Sequence, residues 1–202
     1  MTSEAIFATR TTTRLLDALR DAANEPAWQH MDQRFRPVIA GLAKRLGLSH
    51  SDADEVAQQT LAEFVHAYRD GRYDRGKGRL SSWILGIAHH QTLRVLRNQA
   101  RGRTEPTPLT EVADESSLRS IWVDERDRSI LARAMSLIRD ESAIDDRTLT
   151  AFELVGLRGV PAVQAAEQCK MTIEQVYVAK SRVAKRLKEL VEEMTRAFEE
   201  DV

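Results

Sequence analysis

The sequence predicts an all-α protein, two small helical domains joined by a flexible linker. Three observations carry this reading. Apolar residues recur at the 3.6-residue helical period along most of the chain; no run shows the alternation of a half-buried strand; and one central segment, RGRTEPTPLTEVADESS at residues 101–117, combines Pro106 and Pro108 with small polar residues. At 202 residues and 42% hydrophobic content the chain can fill two modest cores. The expected division is an N-terminal extension at residues 1–25, a first domain at 26–101, a linker at 102–123 and a second domain at 124–202.

The extension, which begins MTSEAIFATRTTTR, has no continuous apolar stretch, and no later segment approaches the ~20 apolar residues of a membrane span. A soluble cytoplasmic protein without membrane contact is expected. Residues 52–68, DADEVAQQTLAEFVHAY, then form an amphipathic helix capped by Ser49 or Ser51. Ala53, Val56, Ala57, Leu61, Phe64, Val65 and Tyr68 share one side, and Asp52, Glu55, Gln59, Glu63 and His66 the other. Acids in the first turn suit the helix dipole, so a solvated helix start explains them as well as a binding surface does.

GRYDRGKGRLSS, residues 71–82, carries three glycines among basic residues and reads as a mobile loop. In the adjoining WILGIAHHQTLRVLRN, Trp83, Ile87, Leu93 and Leu96 are expected toward a core, while His90, Arg94, Arg97 and Arg101 recur about every fourth residue as a basic stripe. Trp83, at the start of that helix, fits a core position or a stacking platform for a base. His89 and His90 are adjacent, diverge on a helix and make a poor metal pair.

The net charge of −1 hides a block structure. Residues 69–103 hold nine basic residues against two acids, and residues 158–188 hold seven against two, with an acidic stretch between them. Two basic blocks, each beside a motif, point to nucleic acid. The second block contains AVQAAEQCKMTIEQVYVAKSR, in which Ala165, Cys169, Met171, Val176 and Ala179 have the spacing of a helix-turn-helix core, with compact Ala166 at the crossing. Thr172 and Gln175 form a T-x-x-Q capping box, so a new helix starts at Ile173. Its outward residues Glu174, Gln175, Tyr177, Val178, Ser181 and Arg182 suit base edges, and Lys180, Lys185 and Lys188 suit phosphates. Lys170 occupies a turn position commonly held by glycine, which favours an ordinary helical hairpin instead.

The lone Cys169 excludes an intramolecular disulfide, and the scattered histidines give no metal or cofactor site. No phosphate-cradling loop or nucleophile elbow is visible, so an enzyme is the weakest of three readings. A stand-alone helix-turn-helix regulator leaves the first domain unexplained.

The order DADEVAQQTLAEF, basic glycine-containing loop, GRLSSWILGIAHH and GVPAVQAAEQCKMTIEQVYVAKSRVAKRL resembles a bacterial sigma factor of the extracytoplasmic-function (ECF) group of the sigma-70 family. The family's W-L-x-x-I-A pattern is met by Trp83, Ile84, Ile87 and Ala88, and its D-V-x-Q-acid pattern by Glu55, Val56, Gln58 and, defectively, Gln59.

The resemblance implies a region 2-like domain and a region 4-like helix-turn-helix domain acting without catalysis. It assigns Asp52, Asp54, Glu55, Gln58 and Gln59 to docking on the β′ coiled-coil of core RNA polymerase, with the β flap as a further contact. It assigns Arg75, Lys77, Arg79, Trp83, His89, His90, Arg94 and Arg97 to the −10 promoter element. The −35 element falls to Arg158, Lys170, Glu174, Gln175, Tyr177, Lys180, Ser181, Arg182 and Lys185. An anti-sigma factor or a Ser/Thr kinase is an implied regulator. In many members a carboxylate follows the conserved glutamine, and here Gln59 stands in that place. Thr60, the hydroxyl beside the missing acid, is therefore a candidate phosphorylation site, where phosphate adds roughly two negative charges. Helical geometry also puts Thr60 near Val56, Phe64 and Ala67, the position of a half-buried threonine.

Overall fold

The computed structural model describes residues 17–21, 24–101, 114–140 and 144–199. Every bounded element among them is helical: α1 (Glu25–Arg45), α2 (His50–Arg69), a 3-10 turn (Arg75–Lys77), α3 (Leu80–Arg101), α4 (Glu115–Asp140), α5 (Asp146–Phe152), a π-helical turn (Glu153–Leu157), α6 (Ala162–Cys169) and α7 (Ile173–Glu199). This is the expected all-α class. Two compact units form, one from residues through Ser129 together with Arg196–Val202, the other from Ile130–Thr195.

In the first unit, Asn24 starts α1 by accepting a hydrogen bond from the Ala27 N–H at 3.2 Å, with Pro26 in the first turn where its missing N–H costs nothing. Phe35, Val38, Ile39 and Leu42 of α1 are fully buried together with Val56 and Phe64 of α2 and Leu80 and Ile84 of α3. Each such side chain contributes about 1.5–3 kcal/mol by leaving water, and α2 packs on both neighbours. Ser49 is the cap of α2, its hydroxyl accepting from the Asp52 N–H at 3.2 Å.

The buried side of α3 is turned from the expected one. Leu80, Ile84, Leu85, Ala88, Gln91 and Thr92 are buried, while Trp83, Ile87, Leu93 and Leu96 are only half-buried. Gln91 and Thr92 enter the interface with their donors bonded: Gln91 Nε2 donates to Glu63, and Thr92 Oγ1 donates to the Ala88 carbonyl at 2.8 Å, while Gln91 Oε1 is buried with no hydrogen-bond partner among the described residues. The loop expected over residues 71–82 is also shorter. Asp74 closes a turn by accepting from Gly76 N–H at 2.9 Å and, through its carbonyl, from Lys77 N–H at 3.0 Å, and α3 is already helical at Leu80.

Part of the expected linker is helix, since α4 begins at Glu115 and Leu118 and Trp122 are buried. Residues 102–113 of that segment lie outside the described residues. Arg45 reaches Asp124 at 3.1 Å and Glu125 at 3.6 Å, and the Glu125 carboxylate lies where a side chain at position 41 would begin, a place Gly41 leaves open. The end of α7 belongs to this unit too: buried Arg34 donates to the Ala197 carbonyl at 3.2 Å.

In the second unit the helix-turn-helix core consists of Ala151, Leu154, Ala165, Ala166, Cys169, Val176 and Ala179, with Val155, Val160, Ala162 and Met171 against it. Of the five core positions expected from the spacing, Ala165, Cys169, Val176 and Ala179 are in this cluster and Met171 packs against it. Lys170 ends α6 in the left-handed conformation, φ 53° and ψ 48°, and its carbonyl accepts from Arg147 at 3.1 Å. The capping box is complete: Thr172 N–H donates to Gln175 Oε1 at 2.8 Å, and Gln175 N–H donates to Thr172 Oγ1 at 3.2 Å.

Candidate macromolecular interfaces

The acidic start of α2 is a solvated surface. Asp54, Glu55 and Gln58 are exposed, and Asp52 and Gln59 are half-buried at its edge. Asp52 is tied into the cap by accepting from the Ser49 hydroxyl at 2.5 Å, and it also accepts from Gln99 Nε2 at 3.1 Å. Gln59 Nε2 donates to Glu55 Oε1 at 2.8 Å, one turn earlier.

Across the helix pair, Arg94 Nη2 donates to Gln59 Oε1 at 2.8 Å. The two antiparallel helices thus carry a ladder of polar contacts, Asp52 with Gln99, Gln59 with Arg94, and Glu63 with Gln91. Beside it opens a cleft of about 310 Å³ lined by Asp52, Glu55, Gln59, Arg94, Val95 and Asn98. Helical periodicity alone groups Arg94 with the basic stripe and does not single out Val95, Asn98 or Gln99. A signal for them exists in the spacing, because residues rising along α2 meet residues falling along α3.

On the outer face of α3, His90, Arg94, Arg97 and Arg101 are exposed in one stripe. His89 points elsewhere and is half-buried, and its imidazole is held below the usual range by burial, then by the neighbouring charges of His90 and Arg97. Lys77 and Arg79 are exposed, with Lys77 3.8 Å from the Asp74 carboxylate; of Arg75 only the backbone, in the turn, is described. Trp83 is half-buried in an aromatic group: it stacks on Tyr73 with centroids 5.2 Å apart and meets Phe64 edge-on at 5.5 Å. Tyr73 is not among the residues the sequence singles out. It supplies one side of the stack, and its hydroxyl donates to the Gly78 carbonyl at 3.4 Å.

Thr60 departs from expectation. It is 0% exposed, packed on the inner side of α2 with Val56, Phe64 and Ala67, and its hydroxyl has no hydrogen-bond partner among the described residues. A kinase has no access to a hydroxyl in this place, and a phosphate with its charge has no room in an apolar core. The Thr60 phosphorylation expectation is therefore corrected in favour of a structural threonine.

In the second unit, Arg158, Lys170, Glu174, Gln175, Tyr177, Lys180, Ser181, Arg182 and Lys185 are all exposed. Tyr177 and Val178 leave 56% and 66% of their surface in water, an unusual investment of apolar area on a helix whose inner face is already filled. Gln175 Oε1 is occupied by the capping box, so its amide N–H groups are what it can offer outward. Glu174 is held below the ordinary carboxylate range by its own backbone N–H and the Thr172 hydroxyl. Among the described residues, no helix is long and apolar enough to cross a membrane.

Two comparisons match this geometry. The sigma-70 region 2 family model matches residues 31–102, which contain the acid-and-amide face of α2 and the basic stripe of α3 almost whole. The chain is 24% identical over 168 residues, 80% of its own length and 91% of the relative's, to the ECF RNA polymerase sigma factor RpoE of Cereibacter sphaeroides. Residues 31–102 thus match sigma-70 region 2, and over most of its length the chain is similar to an ECF sigma factor.

Proposed function

We propose that the chain is an alternative sigma factor, which binds core RNA polymerase and directs transcription from particular promoters without chemistry of its own. The observation that carries this is the presence, within the region 2 match at residues 31–102, of two exposed faces of opposite character on adjacent helices. Asp52, Asp54, Glu55, Gln58 and Gln59 are assigned to docking on a basic surface of the polymerase, the β′ coiled-coil, with the β flap as a second contact. Lys77, Arg79, His90, Arg94 and Arg97, with the backbone of the Arg75 turn, are assigned to the −10 DNA. There the Tyr73–Trp83 stack offers a π-face to an unpaired base.

Residues 26–101 are accordingly read as the region 2-like domain, and of the residues 124–202 expected for the region 4-like domain the compact unit Ile130–Thr195 is read as that domain, with the intervening segment helical from Glu115. The start of α7 is assigned to the −35 duplex, where amide, hydroxyl and guanidinium groups meet base edges and Lys170, Lys180 and Lys185 meet phosphates. Polymerase as partner makes the cytoplasm the place of action. Regulation by an anti-sigma factor fits this reading. A kinase acting at Thr60 does not, because that hydroxyl is fully buried.

In vitro transcription with purified core polymerase and a genomic promoter library tests the proposal. Initiation from a discrete promoter set above core alone is expected. A protein that binds promoter duplex but adds no initiation is instead a stand-alone regulator.

A further inference from the structure

Arg94 sits in the basic stripe yet is bound to the acidic face. Its Nη2 donates to Gln59 Oε1 at 2.8 Å, and Gln59 passes the contact on by donating to Glu55 Oε1 at 2.8 Å. An amide can do this because it accepts on one atom and donates from another. The cleft beside the relay is lined by Asp52, Glu55 and Gln59 on one wall and by Arg94, Val95 and Asn98 on the other. A cation of the protein's own thus stands at the rim of a surface whose charge suits a basic partner.

We propose that Arg94 is an internal competitor for the polymerase-docking surface. While it holds Gln59, the amide oxygen and one Glu55 oxygen already have partners, and an incoming basic side chain meets a fixed positive charge at the rim. The hold is modest: it is a single solvent-exposed hydrogen bond from the guanidinium to a neutral amide, whereas a phosphate meets the same guanidinium with a full opposite charge and can accept from it at two oxygens. DNA phosphate therefore draws Arg94 away from Gln59 and frees the docking surface. By linkage, polymerase bound at Glu55 and Gln59 frees Arg94 for DNA by the same factor. The inference rests on the docking role of the α2 surface under the sigma-factor reading.

The test is equilibrium binding of the full-length chain to core polymerase without DNA, for wild type, Arg94→Ala, Gln59→Ala, the double variant and Glu55→Arg. Arg94→Ala is expected to bind about 2–10-fold tighter than wild type, the range set by the worth of the hydrogen bond. That gain is expected to vanish in the Gln59→Ala background, where Arg94 has nothing to hold. Arg94→Met, which keeps the unbranched stem, is expected to reproduce the gain and guards against a packing defect of the alanine variant. Unchanged or weaker binding by both Arg94 variants overturns the inference, as does a gain that persists without Gln59, which would mark a simple charge effect. Glu55→Arg separates the two levels: if it binds as well as wild type, the docking reading itself falls, whereas if it is crippled while the Arg94 variants gain nothing, only the competitor role falls.

Discussion

The ring of Phe198, near the end of α7, meets Phe35 of α1 edge-on with centroids 5.3 Å apart, and the Arg34 guanidinium lies over it at 4.3 Å. The last turn of α7 is thus part of the first unit's core, and Phe198 is buried. Phe198→Ala is expected to destabilise that unit by about 3 kcal/mol, through the cavity and the lost aromatic contacts. Phe198→Leu should recover most of the loss. Urea denaturation checks both, and an unchanged midpoint for Phe198→Ala would show that the C-terminal turn is not packed there in solution.

Lys170 is the one non-glycine residue with positive φ among the described residues. A side chain in the left-handed region costs roughly 1–2 kcal/mol, part of which glycine gives back through its greater freedom in the unfolded chain. Lys170→Gly should therefore raise stability by about 0.5–1 kcal/mol. The same change removes a cation assigned to a phosphate, so duplex affinity should fall while the slope of log affinity against log salt shrinks by about one. A more stable variant with unchanged salt dependence would take Lys170 out of the DNA interface.

Much of this is legible in the sequence because simple periodicities govern it. The inner face of α2, the Ser49 cap, the Thr172–Gln175 box and the helix-turn-helix core all follow from one-dimensional spacing. The illegible part depends on a second helix. Gln91 and Thr92 are polar residues that periodicity does not place in the core, yet both are buried, with the Gln91 amide donating to Glu63 and the Thr92 hydroxyl to the Ala88 carbonyl. Arg94 reads as one member of a stripe, and its bond to Gln59 exists only because α2 and α3 run antiparallel with these residues in register. Periodicity also ranks Trp83 with the core, whereas Tyr73, from a loop without any period, gives it a stacking partner and leaves it half-buried.

His30 of α1 has its pKa pushed down to about 4 from 6.5, first by burial and then by the charge of Arg34. In the unfolded chain the imidazole takes a proton as the pH falls through about 6.5, but in the fold it resists until about 4. The fold is thus favoured in full above 6.5, and this advantage drains away between 6.5 and 4. Urea midpoints at pH 7, 5.5 and 4.5 should fall for wild type and fall less for His30→Gln. Parallel curves would show that the imidazole is hydrated in solution.

Asp54 and Glu55 are both exposed, so reversing them to Lys should cost little stability while weakening core binding at least tenfold. Lys185→Ala on α7 should leave core binding by the first unit unchanged and lower promoter affinity nearly equally for all sequences, as expected of a phosphate contact. Binding to core and to −35 duplex, measured separately for each variant, decides this. Reversal variants that melt well below wild type would make the acids structural.

Thr60 gives the sharpest contrast between two substitutions at one site. Its hydroxyl is fully buried with no hydrogen-bond partner among the described residues, so it forfeits water without return. Val has nearly the same shape and no polar atom. Thr60→Val should therefore hold or raise stability, by about 1 kcal/mol, and leave polymerase binding intact. Thr60→Glu places a charged and larger side chain among Val56, Phe64 and Ala67, and should destabilise the first unit by several kcal/mol and reduce initiation with it. A surface threonine awaiting phosphate predicts the reverse: a tolerated glutamate that strengthens polymerase binding. Thermal melts and core-binding assays on the pair distinguish the two, and a stable, tighter-binding Thr60→Glu would show that α2 turns this residue outward in solution.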